Sequence, residues 1–541
     1  MLPTSFLQLA QFLLPLSISA SAALASDSSH SSHFQVSTYG SGLTYSAASE
    51  SEDGATVVST GDNNFYTVNI TLGGVDFVVL LDTGSSDLWV NTTGRDLQLT
   101  NTTDVKINVG YGIGSVSGYA AFADMTLGDF KIPSQIFINP TEITDFNTSD
   151  KHDGIMGMAF DSSSIYNTVS RVWGVEAANE LATSPITSLF ADNPTAPNNF
   201  DVKLARTSTL EDKADGIFII SEHDENFQHV TLAPKLPAVN TDHWNIAMDA
   251  MLVNGIAFAF NQSRIEGVPD GKVAASLDTG YSHPPLPGPA VDAIYSTIPG
   301  AVFLGERGGN SWMVPCDAAT NLTFVFGDQE FPVHPLDLTY PYLINMNGKN
   351  MTACLNAYKY TFLDPENFIG FDFVLGDSFL RNVYASFDYS DFYPGNNTVS
   401  APFIQLLSTT NASSMWDEFR TERAAALAKL PPAVDPAEAV KYINENLSQS
   451  NGTSTTTVAG AAAATSGSSS PSDGSWGQKY GMIALALLGA NLLIGLVLLG
   501  VTVTMCVRSA KGRREARYQP VRFKEAAGEP DYERGSLKYS D

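Results

Sequence analysis

The chain is 541 residues long, too long for a single hydrophobic core, so at least two packed lobes are expected. Its composition is globular, 43% hydrophobic and 16% charged, and 57 acidic against 29 basic residues leave a formal net charge of −28. That balance argues against nucleic acid as a partner, which needs basic patches, and fits work in acid, where carboxylates partly neutralise.

The first apolar run, residues 2–18, carries no charge, and the small residues of "AALA" at 22–25 stand at a cleavage spacing, so 1–25 reads as a signal peptide. Residues 26–60 are Ser-rich without Lys or Arg and read as a leader or prosegment. Regular structure is expected to begin at "FYTVNITLGGVDFVVLLDTGSS", residues 65–86, where apolar runs broken by Gly73-Gly74 predict a β-hairpin whose second strand is fully buried. The same texture of short β-branched and aromatic runs, punctuated by Gly and Pro, continues to about residue 407. Helices are expected to be brief, for instance over 185–191 and 288–297, so the protein is read as mostly β.

From residue 408 the texture changes. Residues 415–447 look helical, Ala-rich and charged, and a Ser/Thr/Ala/Gly stretch follows that is too poor in large apolar groups to form a core. The segment 408–479 is therefore expected to be a stalk. Residues 480–507 are apolar without one charge, and at about 1.5 Å per residue they exceed the roughly 30 Å hydrocarbon thickness of a bilayer. Arg508, Lys511, Arg513, Arg514 and Arg517 follow at once and mark a cytosolic tail, 508–541, which includes a sorting-like "YQPV" at 518–521. The expected arrangement is a type I membrane protein at the cell surface or on an endosomal or vacuolar membrane. Eleven Asn-x-Ser/Thr triplets, at Asn69, Asn91, Asn101, Asn147, Asn261, Asn321, Asn350, Asn396, Asn411, Asn446 and Asn451, all precede that span, as passage through a glycosylating lumen requires. Cys316 and Cys354 lie on the lumenal side, where disulfides persist, and a bridge between them would contribute on the order of 3–4 kcal/mol. Cys506 lies at the cytosolic end of the span.

No His/Cys cluster has ligand spacing, and neither a nucleotide loop nor a Gly-x-Ser-x-Gly elbow is present, so no metal or cofactor is expected. What recurs is Asp-Thr-Gly, at 82–84 in "LDTGSSDLWV" and at 278–280 in "LDTGYSHPP", each led in by apolar residues. Two carboxylates within hydrogen-bonding distance cannot both ionise, so they share a proton in acid. The ionised partner then activates a water and the protonated one polarises a carbonyl. Glycine lets the backbones approach, and each Thr hydroxyl is placed to bond the opposite loop.

On these residues the chain resembles the pepsin-like aspartic endopeptidases, over residues 61–407. Trp89 follows the first triplet at the family's distance, "VGYGIGSVSG" (109–118) is similar to the family's flap, and "DGIMGMAF" (153–160) and "FVLGDSFLRNVYASFD" (373–388) resemble its two hydrophobic-hydrophobic-Gly segments. The resemblance implies a bilobal β fold, with lobes expected at 61–215 and 216–407, and a cleft for extended peptides between Asp82 and Asp278. Tyr111, Gly112 and Gly114 would form the flap, Trp89 would support Tyr111, and Thr83, Gly84, Ser85, Thr279, Gly280, Tyr281 and Ser282 would hold the dyad. Cys316 and Cys354 fall where the family's C-lobe disulfide lies. A monomer acting on protein or peptide substrates is expected.

Three departures stand out. Tyr281 takes the place where the family has a Ser or Thr whose hydroxyl bonds the carboxylate, as Ser85 does beside Asp82. The expectation is that the Tyr281 ring turns away, that Ser282 replaces the lost donor or that none does, and that the pKa of Asp278 rises. His283 nearby is read as a structural or rim residue. The N-lobe is short between Trp89 and Tyr111 and lacks the family's small disulfide, and segment 26–60 lacks the basic residues of many prosegments. The competing reading is a peptide-binding or adhesion protein on this scaffold that has lost catalysis, with Tyr281 as the lesion.

Overall fold

A computed structural model describes residues 33–39, 65–112, 114–146, 152–161, 163–206, 213–305, 309–361, 370–391 and 401–449. The expected signal peptide, membrane span and cytosolic tail lie outside them, as do Asn147, Asn396 and Asn451. Among the described residues no helix is long and apolar enough to cross a membrane.

The fold is mostly β. Among the described residues thirteen strands join in one sheet that runs from the N-terminal lobe into strands of the second half, and four smaller sheets build the C-terminal lobe. The expected hairpin is present: Phe65–Leu72 pairs antiparallel with Val75–Asp82, and Gly73 and Gly74 turn the chain at φ +57° and +81°. The two lobes repeat one device. Val75–Asp82 lies parallel to Gly154–Gly157, and Val273–Leu277 lies parallel to Phe373–Leu375. Each Asp-Thr-Gly therefore leaves the end of a strand clamped by a hydrophobic-hydrophobic-Gly partner, and the strand residues just before each Asp, Val79–Leu81 and Val273–Leu277, are buried.

Between the lobes, Asn199–Lys203, Lys213–Ile220, Val383–Asp388 and Phe403–Ser408 form the shared part of the large sheet. Beneath the dyad an aromatic cluster crosses from lobe to lobe. Trp244 Nε1 and the Tyr389 hydroxyl both donate to Met158 O, at 2.9 and 2.7 Å, and both rings pack on Phe160. The expected short helices are Pro185–Asp192, which starts on Ser184 with proline in its first turn, and Gly288–Tyr295. Cys316 and Cys354 form a disulfide with a Cα separation of 5.2 Å.

Two boundaries differ from expectation. Regular structure begins before Phe65: His33–Tyr39 is a strand inserted between Lys213–Ile220 and Phe65–Leu72. Its sequence, HFQVSTY, has the β-branched and aromatic content of a strand, but only two sequence-distant neighbours give it pairing on both edges. The folded body also extends past 408. Helices Met415–Leu427 and Pro436–Gln449 pack on the C-terminal lobe, where Phe419, Arg423, Ala426, Val434, Ala439 and Val440 are buried. The linker between them docks on the lobe's sheet, Thr352 N donating to Pro432 O and Val434 N to Thr352 O, each at 2.9 Å. A stalk can begin only after these helices.

Candidate active site

The two Asp-Thr-Gly loops meet through reciprocal hydrogen bonds. Thr83 N donates to Thr279 Oγ1 at 3.1 Å and Thr279 N to Thr83 Oγ1 at 3.0 Å. The hydroxyls then reach past each other, Thr83 Oγ1 to Leu277 O at 2.8 Å and Thr279 Oγ1 to Leu81 O at 2.7 Å. All four bonds are buried, so both hydroxyls and both carbonyls are satisfied away from water.

This lattice forces the carboxylates together. A Cβ on Gly84 would fall on the Asp278 carboxylate, and one on Gly280 would lie 2.5 Å from Asp82 Oδ1 and 3.1 Å from Asp278 Oδ1. Only glycine admits that approach. Asp82 accepts from Ser85 Oγ at 2.5 Å and Gly84 N at 2.9 Å. Asp278 accepts from Gly280 N at 2.8 Å. Burial pushes the Asp278 carboxyl well above the ordinary carboxylate range, and the Asp82 charge beside it adds to the rise.

Tyr281 supplies no hydroxyl to Asp278. Its phenol points at the flap instead, so that a Cβ on Gly112 would lie 2.6 Å from the Tyr281 oxygen. Ser282 stands beside the carboxylate of Asp377, which is fully buried and pushed well above the ordinary carboxylate range by that burial. His283 is buried with its ring stacked on Tyr340 at 4.7 Å, away from the dyad chemistry.

The flap is the hairpin Leu99–Gly110 and Ser115–Leu127, closed by Tyr111 N donating to Gly114 O at 3.0 Å. Gly114 sits at φ +75°, where a side chain would also meet Thr144 O and the Phe146 ring. The Tyr111 ring stands edge-on to Phe146 at 5.3 Å, and Phe146 packs on Trp89 at 5.4 Å. Trp89 is fully buried, and burial raises the Tyr111 hydroxyl well above its ordinary pKa.

Sequence reading missed three contributors. Phe146 joins Tyr111 to Trp89 from 35 residues beyond the flap tyrosine, and no local pattern announces it. Asp87 is buried and accepts from Ser164 N at 3.0 Å and Ile165 N at 2.9 Å, so it seats a helix N-terminus behind the first loop. Asp377 follows the Gly of the second hydrophobic-hydrophobic-Gly segment, and its amide donates to Tyr281 O at 2.8 Å. Of the sequons, Asn69, Asn101, Asn261, Asn321 and Asn411 are exposed, while Asn91, Asn350 and Asn446 are half-buried. Among the described residues no group of His, Cys, Asp and Glu has the form of a metal site.

A family model described as eukaryotic aspartyl protease matches residues 65–399. The chain is similar to the aspartic-type endopeptidase ctsD of Aspergillus fumigatus, 24% identical over 369 residues, covering 65% of this chain and 68% of that one. It is likewise similar to the vacuolar aspartic protease of Candida albicans, 26% identical over 342 residues, covering 60% and 72%. A crystal structure of aspartic proteinase from Irpex lacteus superposes with a TM-score of 0.48 at 20% identity, covering 65% of this chain and 96% of that one. A family match that takes in both loops, the flap and most of both lobes makes this chain a member of the eukaryotic aspartyl protease family, and an aspartic-type endopeptidase.

Proposed function

We propose that Asp82 and Asp278 are the catalytic dyad of an acid endopeptidase carried on a membrane anchor. The observation that carries the reading is the approach of the two carboxylates, held by the reciprocal threonines and permitted by Gly84 and Gly280. One proton serves the pair. Asp278, whose pKa burial raises, holds it, and Asp82, bonded by Ser85 and Gly84 N, is the carboxylate.

A substrate lies extended in the cleft under Tyr111 and Gly112, its peptide groups hydrogen-bonded along the walls. Asp82 takes a proton from a water as the water oxygen attacks the scissile carbonyl carbon, and Asp278 gives its proton to the carbonyl oxygen. The tetrahedral intermediate collapses as Asp82 passes its proton to the amide nitrogen, one diol hydroxyl returns its proton to Asp278 while the C=O bond re-forms, and the C–N bond breaks. The pair is then back in its singly protonated form.

The anchor reading rests on the uncharged run 480–507 with five basic residues just after it, and on sequons that all lie before it. It places the catalytic body in the lumen or outside the cell, glycosylated at surface Asn residues, at the cell surface or on an endosomal or vacuolar membrane. The test is cleavage of an internally quenched peptide library by the full-length chain from pH 3 to 7, with and without pepstatin, beside Asp278→Asn. Acid-favoured, pepstatin-sensitive cleavage that the substitution abolishes is the expected result. No cleavage by the folded chain at any pH would leave the cleft as a peptide-binding site.

A further inference from the structure

Tyr281 is fixed from below and points upward. Its carbonyl accepts from Asp377 N at 2.8 Å, its amide donates to Asp278 O at 3.3 Å, and a Cβ on Gly376 would run into that same carbonyl. The backbone therefore has no room to sink toward the strand Phe373–Leu375, and the ring takes the direction left to it, into the space between Asp278 and the flap. A Cβ on Gly112 would meet the phenol oxygen at 2.6 Å and two ring carbons at 3.2 Å. Burial raises the pKa of the phenol and the nearby Asp278 charge raises it further, which fits a ring enclosed at the dyad's edge. The matching position of the other loop is Ser85, small and bonded to Asp82. The two walls of the cleft are thus unequal: the N-terminal wall carries Tyr111 and Phe146, backed by the buried Trp89, and the C-terminal wall next to Asp278 is filled by one phenol.

We propose that Tyr281 is a specificity-determining residue: its ring fills the C-terminal side of the cleft under the flap, so the substrate residue whose side chain faces Asp278 must be Gly, Ala or Ser. Successive side chains of an extended peptide point to opposite sides. The neighbours of that residue consequently face the Tyr111–Phe146 wall. The inference deepens the endopeptidase reading of the same cleft and rests on it for the path of the peptide. Whole pockets distinguish substrates by about 10–200-fold per methylene-sized difference, so a filled site should reject leucine strongly.

The experiment uses the full-length chain, Tyr281→Thr and Tyr281→Phe against quenched peptides carrying Ala, Leu or Phe at each position flanking the cleaved bond. At one position the parent is expected to favour Ala over Leu by about tenfold or more in kcat/KM, Tyr281→Phe to keep that ratio, and Tyr281→Thr to lose it. A parent that accepts Leu as well as Ala at every position, or a Thr variant that keeps the ratio, overturns the proposal. The same peptides are titrated onto Asp82→Asn, which leaves Tyr281 and Asp278 in place. Binding that follows the same size order supports the filter even in a chain that cleaves nothing, whereas binding indifferent to size overturns it. Cleavage without a size filter defeats this inference alone, and a size filter without cleavage defeats only the endopeptidase reading.

Discussion

Thr83 and Thr279 each donate an amide to the other's hydroxyl, at 3.1 and 3.0 Å, although 196 residues separate them. Each hydroxyl then spends its proton on a carbonyl of the opposite strand. The dyad is therefore positioned by a contact between lobes and by neither lobe alone.

Thr83→Val keeps the shape of the side chain and removes its hydroxyl, leaving Leu277 O and the Thr279 amide buried without that partner. Each orphaned group costs about 1–3 kcal/mol, so a loss of about 2–4 kcal/mol is expected by chemical denaturation, along with a fall in kcat. Thr83→Ser should recover most of both. A valine variant as stable as the parent would show that the lattice does not hold the lobes.

The pH limb of activity tests Tyr281 from another side. Asp278 is raised by burial and by the Asp82 charge beside it. Tyr281→Thr admits solvent and offers a donor, and both effects favour the carboxylate. The upper pKa of kcat/KM should fall by about one unit, measured on one small peptide that both forms cleave. An unmoved upper limb would refute it.

Stability should be greatest in acid. Burial raises Asp161 from 3.8 to about 6, with its Oδ1 accepting from Ser184 N and its Oδ2 unpartnered. Below pH 3.8 the group is protonated folded and unfolded, and its contribution is intact. Between there and pH 6 the unfolded chain loses the proton first, so the fold is weakened by up to about 3 kcal/mol. Asp161→Asn should flatten the stability profile between pH 4 and 6. Asp337 acts in the opposite sense: burial pushes it up, but the guanidiniums of Arg206 and Arg381, at 2.5 and 2.7 Å, hold it well below the carboxylate range. That network should survive acid, and a thermal midpoint lower at pH 4 than at pH 7 would contradict the profile.

The helix Met415–Leu427 should be indispensable to the C-terminal lobe. Arg423, buried, donates to Thr339 O at 2.8 Å and reaches Cys354 Sγ at 3.6 Å, and burial lowers its pKa to about 10. Arg423→Ala strands those acceptors and opens a cavity, at about 2–4 kcal/mol. A chain ending at residue 414 should melt lower still. If it melts with the parent, the helices merely rest on the lobe.

Deleting residues 26–60 removes the strand His33–Tyr39 and leaves Lys213–Ile220 with one edge unpaired. The thermal midpoint should fall and association rise, read by calorimetry and light scattering. An unchanged, monomeric chain would make the strand dispensable.

Short sequence patterns are enough for the parts of this site whose chemistry is local. Asp-Thr-Gly after an apolar strand, Tyr between glycines in a flap and two hydrophobic-hydrophobic-Gly runs are short patterns, because each reflects a strand end or turn decided by adjacent residues. Tyr281 was visible as a departure for the same reason. The destination of its ring was not, since that depends on Gly112 some 170 residues away and on Gly376 beneath it. Phe146 under the flap, Asp87 at a helix N-terminus and Arg423 in the C-terminal lobe were likewise settled by tertiary packing. So were both boundaries: a seven-residue strand and the two helices after residue 414 gain most of their stability from distant surfaces that cover them. A sequence window records what a residue is, but burial and pairing are properties of what folds against it.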